Sequence, residues 1–161
     1  MLLTRLKAFL DTCNVQYVVI SHSVAYTAQG IAALTHIPGK DLAKTVVVKI
    51  DGKLAVAVVP ASSHVDLMRL KQATSASNVQ LASEDDFREK FPDCETGAMP
   101  PFGNLYGMEV FVDESLSEDK EVAFNAGSHR ELVRMSWADL ERLVQPRLLK
   151  IATRGLLAVA A

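Results

Sequence analysis

Three places in the 161-residue chain combine residue types and spacings that could act on a ligand. The first is Lys44. It opens an apolar, β-branched run, Thr45 to Val48, after the turn-like Pro38-Gly-Lys-Asp41, and an ammonium at the end of a buried strand can reach the mouth of a pocket. The same position suits a lysine that merely extends its charge into water. The second is Gly97-Ala98-Met99-Pro100-Pro101-Phe102-Gly103. Glycines at both ends permit unusual backbone angles while the prolines remove freedom, so amides and carbonyls can be held toward a ligand at low entropic cost. No acid, base or nucleophile lies in this loop; its chemistry would be shape and backbone hydrogen bonding. The third is Asn125-Ala-Gly127-Ser128-His129, a small-residue turn expected to leave a hydroxyl and an imidazole exposed at a strand end. With no acid nearby in the chain to orient Ser128 and His129 as nucleophile and base, a serine hydrolase is not expected.

Signatures of other chemistries are missing: there is no GxSxG elbow, phosphate-binding P-loop, HExxH, GxGxxG after a strand, or CxxC. His22, His36, His64 and His129 stand singly, and Cys13 and Cys94 lie far apart. No metal, cofactor or disulfide is expected.

The elements that would position these residues follow from periodicity. Leu2, Leu3, Leu6, Phe9 and Leu10 form a helical stripe, and Val15 to Ile20 is β-branched, which predicts a helix and then a strand. A second helix is predicted within 26–37, stopped by Pro38-Gly39. The strongest local signal is Asp51-Gly52 between the β runs Lys44–Ile50 and Lys53–Val59, a tight hairpin whose continuous apolar strands must be covered on both faces. Ser63 with Asp66 predicts a capped helix, and Ser83-Glu-Asp-Asp86 predicts another that Pro92 ends. Strands are predicted at Glu109–Val112, Glu121–Asn125 and Glu131–Met135, and a last helix runs from Ser136 to Val144.

This irregular alternation lacks a steady βαβ rhythm and predicts an α+β (mixed α/β) single domain, with a mixed, mostly antiparallel sheet surrounded by helices. Residues 1–146 are expected to form the domain. The segment 147–161 carries Arg147, Lys150 and Arg154 without an acid, and strand, added helix and frayed tail remain open for it.

Lys plus Arg total 17 and Asp plus Glu 19, a formal net charge of −2, which excludes the strongly basic character of a general nucleic-acid coat protein. At 49% hydrophobic and 22% charged, the chain is too apolar to be disordered. Its longest apolar run, Leu54 to Ala61, is far short of the ~20 residues that cross a bilayer. The N-terminus lacks the blocks of a secretory signal. A cytoplasmic protein with no membrane partner is expected.

In this order, Asp41-Leu-Ala-Lys-Thr-Val-Val-Val48, Val58-Val-Pro-Ala61, Phe91-Pro-Asp-Cys-Glu-Thr-Gly-Ala-Met-Pro-Pro-Phe-Gly103, Val112-Asp-Glu-Ser-Leu116 and Phe124-Asn-Ala-Gly-Ser-His129 form a pattern that resembles the YbaK/ProX-type aminoacyl-tRNA deacylases. These are related to the editing domain inserted in bacterial prolyl-tRNA synthetases. The resemblance covers residues 1–146. It implies a free-standing trans-editing enzyme that hydrolyses the ester between a wrong amino acid and the terminal adenosine of a tRNA, most often that for proline. It also implies that Lys44 binds the acceptor end, that Gly97 to Pro101 shapes the amino-acid site, and that Asn125 to His129 is the histidine loop. Water would be activated by the substrate's ribose hydroxyl and by backbone groups, without metal or cofactor.

On this resemblance the catalytic candidates are Lys44, Gly97 and His129. Substrate-binding candidates are Tyr26, Thr27, Val46, Ala98, Met99, Pro100, Pro101, Asn125, Gly127 and Ser128. Arg69 with Lys71, Arg130 with Arg134, and the basic tail are candidate phosphate contacts. Alanine is the first amino acid expected, ahead of serine, threonine or cysteine. The expected partners are the acceptor end of a mischarged tRNA and prolyl-tRNA synthetase or an elongation factor. Two alternatives on the same fold are a non-catalytic module that binds tRNA or a synthetase, and a sensor of a small amino acid or its adenylate.

Overall fold

The structure, a computed structural model, describes residues 3–154. In chain order the elements are α1 (Thr4–Thr12), β1 (Tyr17–Ser21), α2 (Ala28–Thr35), β2 (Leu42–Ile50), β3 (Lys53–Pro60), β4 (His64–Val65), α3 (Leu67–Thr74), β5 (Val79–Leu81), α4 (Glu84–Phe87), β6 (Glu109–Asp113), β7 (Glu121–Asn125), β8 (Glu131–Ser136), α5 (Trp137–Val144), β9 (Arg147–Leu149) and β10 (Ala152–Thr153). The large sheet has the order β1-β8-β7-β2-β3-β6-β9, with β5 also pairing β2. Pairings β1–β8, β7–β8, β2–β3 and β2–β5 are antiparallel, while β2–β7, β3–β6 and β6–β9 are parallel. The mixed sheet with surrounding helices is therefore as expected.

The hairpin at its centre follows from local chemistry. Asp51 and Gly52 both take positive φ, 50° and 82°, the geometry that matches strand twist in a two-residue turn. From that turn the register runs Ile50 with Lys53 back to Ala43 with Pro60. Alternate residues of β3 then divide between two cores. Val56 and Val58 join Leu6 and Leu10 of α1 and Trp137 and Leu140 of α5; Ala55, Ala57 and Val59 join Leu70 of α3. A third cluster packs Ile31 of α2 with Leu42, Ala123 and Leu132. Both sheet faces are covered, which is why the strand runs are continuously apolar.

Two helix starts behave differently. Ser83 and Asp86 form the reciprocal capping box, but the expectation that Ser63 begins α3 fails. Asp66 is the cap, accepting hydrogen bonds from the amides of Met68 and Arg69 at 3.1 Å each, because it immediately precedes the first helical residue. Ser63 is buried, and the two residues after it form β4.

The segment after Pro146 forms β9 and β10, which pair with β6 and β4; 155–161 lie outside the described residues. Asp113 fastens this segment. Its buried carboxylate accepts from the amides of Ile151 and Ala152 at 2.9 Å and from the Ser115 hydroxyl at 2.5 Å, while Ile151 is fully buried. Asp113→Ala strands a buried N–H and should lower unfolding free energy by about 2–4 kcal/mol in a denaturant titration. A loss under about 1 kcal/mol would show that the carboxylate is not the fastening.

Candidate active site

One edge of β2 is paired with β3 from Ala43 to Ile50. The other edge is shared. β7 runs beside Leu42 and Ala43, β5 beside Val48 to Ile50, and the Ala82 amide donates to the Val47 carbonyl at 3.0 Å. Among the described residues, no strand covers this edge at 44–46. Backbone groups alternate in direction along a strand, so the N–H and C=O of Thr45 face the same opening as the Val47 carbonyl.

A cleft of about 670 Å³ occupies the gap, a volume suited to a small ligand. Lys44 to Val47 form its floor and Asn125, at the end of β7, one side. Tyr26, Thr27 and Gln29 approach from the start of α2, and Leu81, Ala82 and Phe87 from the stretch between β5 and α4. Ala61, His64, Gly97 and Met99 complete it.

Lys44 stands on the strand face between Leu42, which packs with Ile31, and Val46 and Val48, which pack in the Leu70 cluster. It lies in the seam between two helix-covered cores. The side chain is half-buried and, among the described residues, makes no hydrogen bond or ion pair. Burial holds its pKa below the ordinary lysine value. None of the lining residues is a carboxylate, although acids outnumber Lys and Arg in the chain, 19 to 17. A partly desolvated cation without a counter-charge favours an anionic ligand. In the same lining, Thr45 Oγ1 and Asn125 Oδ1 are buried and, among the described residues, have no hydrogen-bond partner.

The Gly97 and Gly127 loops are bound to each other. The Glu95 amide donates to the Gly127 carbonyl at 2.8 Å, and the Gly127 amide donates to the Ala98 carbonyl at 3.0 Å. Both glycines need their freedom: φ is +87° at Gly97 and +97° at Gly127, where a Cβ would also come within 3.0 Å of Leu3 Cβ. The expectation that Ser128 and His129 are exposed fails, because this pairing draws the turn inward. Both are buried. His129 Nε2 donates to the Thr96 carbonyl at 2.9 Å, its Cε1 would lie 3.5 Å from a Cβ at Gly97, and the Tyr26 ring packs on it at 4.8 Å between centroids.

Of the residues expected from the sequence, Tyr26, Thr27, Lys44, Val46, Gly97, Met99 and Asn125 share the cleft. Ala98, Pro100, Pro101, Gly127, Ser128 and His129 do not line it; they are buried. Arg69, Lys71, Arg130 and Arg134 also lie outside the lining; Arg69 sits 3.5 Å from Asp66 and Arg134 3.9 Å from Glu121. Thr45, Gln29, His64, Leu81, Ala82 and Phe87 were not anticipated. Only Thr45 carried a signal, its place beside Lys44.

Cys13 and Cys94 are unpaired thiols. Burial pushes the Cys94 thiol up to about 11 despite its contact with the Tyr106 hydroxyl at 3.4 Å. The thiolate, the reactive form, is scarce until the pH approaches that value. Alkylation of Cys94 by iodoacetamide should therefore be slow from pH 7 to 9 and accelerate only above it, followed by mass spectrometry. Rapid labelling at pH 7 would contradict this environment. Among the described residues, no group of three His, Cys, Asp or Glu side chains is placed to hold a metal, and no helix is long and apolar enough to cross a membrane.

Residues 22–143 match the family described as "Aminoacyl-tRNA editing domain", and the chain belongs to that family. The class expected from the resemblance, an editing deacylase, holds. In particular, the chain is similar to the multifunctional Ser/Thr-tRNA deacylase ProXp-y of Escherichia coli (strain K12), at 28% identity over 149 residues and 89% of each chain. It is 30% identical over 87 residues to the proline–tRNA ligase of Bacillus mycoides (strain KBAB4), a match spanning 54% of this chain but only 15% of the ligase. Among solved structures, a candidate trans-editing enzyme for prolyl tRNA synthetase superimposes with a TM-score of 0.80 at 20% identity, covering 92% of this chain and 95% of that one. That likeness shows a common fold.

Proposed function

We propose that this chain is a free-standing deacylase that hydrolyses the ester of a small, wrongly attached amino acid on the tRNA for proline, with alanine as the first substrate. The observation that carries the reading is the meeting of an unpaired, half-buried Lys44 and the Gly97 loop in one cleft without a carboxylate. An aminoacyl ester is already activated. Holding water beside it and stabilising the oxyanion with amides and one cation can suffice without a covalent intermediate. In this scheme Lys44 attracts the anionic acceptor end and the Thr45 N–H faces the developing oxyanion, while the Gly97 loop, whose Gly97 and Ala98 amides donate to Met99 Sδ at 3.3 Å and to the Glu95 carbonyl at 3.0 Å, shapes the wall of the cleft. Water adds to the carbonyl carbon, the bond to the ribose oxygen breaks, and that oxygen takes a proton. The products are the free amino acid and a tRNA with a free terminal hydroxyl.

His129 acts from behind the loop by holding the Thr96 carbonyl, and so shapes amino-acid preference without touching water. The apolar surfaces of Val46, Ala82, Phe87 and Met99 suit the methyl group of alanine. A second reading, serine or threonine, is favoured by the unsatisfied Thr45 Oγ1 and Asn125 Oδ1, which could pair with a substrate hydroxyl, and by what the E. coli relative acts on. Cysteine is the remaining candidate. The match to a proline–tRNA ligase supports that synthetase, in the cytoplasm, as the partner that releases the mischarged tRNA; an elongation factor is the alternative source.

Purified protein is assayed on alanyl-, seryl-, threonyl-, cysteinyl- and prolyl-tRNA for proline. Hydrolysis of the alanyl ester well above buffer, with the prolyl ester spared, is expected. Failure on all the mischarged substrates would remove the deacylase reading and leave a tRNA-binding module. Lys44→Ala should lower kcat/KM about 100-fold or more, a loss near 3 kcal/mol of transition-state stabilisation. Its thermal midpoint should not fall, since the side chain forms no internal pair. Wild-type turnover by this variant would refute the role of Lys44.

A further inference from the structure

We propose that Tyr26 is a stacking platform for the terminal nucleobase of the RNA, a role that rests on the deacylase reading above. Tyr26 is 75% exposed, and among the described residues no large apolar side chain is more so. Its surroundings are nevertheless well tied. The His22 and Ala25 amides donate to the Arg130 and His129 carbonyls at 2.8 and 3.3 Å, and Thr27 caps α2 by accepting from the Gly30 amide at 3.0 Å. One side of the ring packs on buried His129, tilted by 57°. The remaining surface is open at the mouth of the cleft that holds Lys44.

A flat, anchored, solvent-facing ring at the mouth of a cleft suits another flat ring. In an aminoacylated RNA the base and the ester sit on the same ribose, so a base must lie one sugar away from the reacting carbonyl. Three of the residues that line the cleft carry an aromatic ring, Tyr26, His64 and Phe87. Phe87 is buried, edge-on to Phe91, and has no open face. Tyr26 and His64 are left, and of the two Tyr26 carries the larger ring. Stacking on an aromatic ring tolerates any base and adds affinity without many phosphate contacts, which suits a chain of net charge −2.

The test uses a short acceptor-stem RNA ending in 3′-amino-3′-deoxyadenosine that carries alanine through a stable amide, and the same RNA with an abasic terminal residue. Wild-type protein should bind the intact RNA about tenfold more tightly than the abasic one, the size of one base stack. Tyr26→Ala should lose about that factor on the intact RNA and little on the abasic RNA, whereas Tyr26→Phe and Tyr26→Trp should keep it. Equal losses on both RNAs would mean that the ring only props His129, and would overturn the proposal. So would a wild-type protein indifferent to the missing base, a result that needs no variant to fold. Hydrolysis of mischarged tRNA together with that indifference would sink the stacking role alone; absence of both hydrolysis and binding would sink the deacylase reading with it.

Discussion

Strand β2 is held along one edge by an eight-residue run against β3 and, along the other, by two partners that stop short of each other. β7 leaves after Ala43 and β5 begins at Val48. A sheet rarely leaves backbone donors and acceptors open in its middle, because an unpaired edge costs hydrogen bonds and invites other strands. Here the opening falls at the centre of the molecule's largest sheet, and the cleft is the space it leaves. The candidate site is arranged around it: the ammonium of Lys44 on the strand, the side-chain amide of Asn125 where β7 departs, and the residues at the start of α2.

The second constraint is the pair of backbone hydrogen bonds joining the Gly97 loop to Gly127. They turn two short motifs, thirty residues apart in the chain, into one rigid piece. Their effect on His129 is large. An imidazole that the turn could have offered to solvent is instead folded under the loop, where it satisfies the Thr96 carbonyl and supports Tyr26. Rigidity of this kind lets backbone groups take part in recognition, since ordering them on binding costs little further entropy.

Electrostatics complete the site by omission. The chain is slightly acidic overall, yet among the described residues no acid lines the cleft, and Lys44 is left half-desolvated and without a counter-charge. Structural lysines are ordinarily paired or solvated, so retaining such a group carries a stability penalty that binding an anion would relieve. That arrangement suits a protein whose grip is confined to one end of a nucleic acid, and it needs no extended basic face.

How much of this was legible in the residues depends on range. The Asp51-Gly52 turn, the Ser83 capping box and the short apolar runs of β6, β7 and β8 are local chemistry, and each formed where the chain predicts it. Lys44, Gly97 and Asn125 were recognisable as candidates because their types and neighbours are unusual within a few positions. The three-residue β5 and the pairings of β9 and β10 have too little periodicity to be seen, and Asp66 displaced Ser63 as a cap because cap geometry depends on which residue directly precedes the first turn. Only the tertiary structure decided that His129 is buried, that His64, Leu81 and Phe87 reach the same cleft, and that Tyr26 stays exposed. The physical reason is one of distance along the chain: turn and helix signals are written between near neighbours, whereas an interrupted strand edge and a cavity exist only after remote segments have packed.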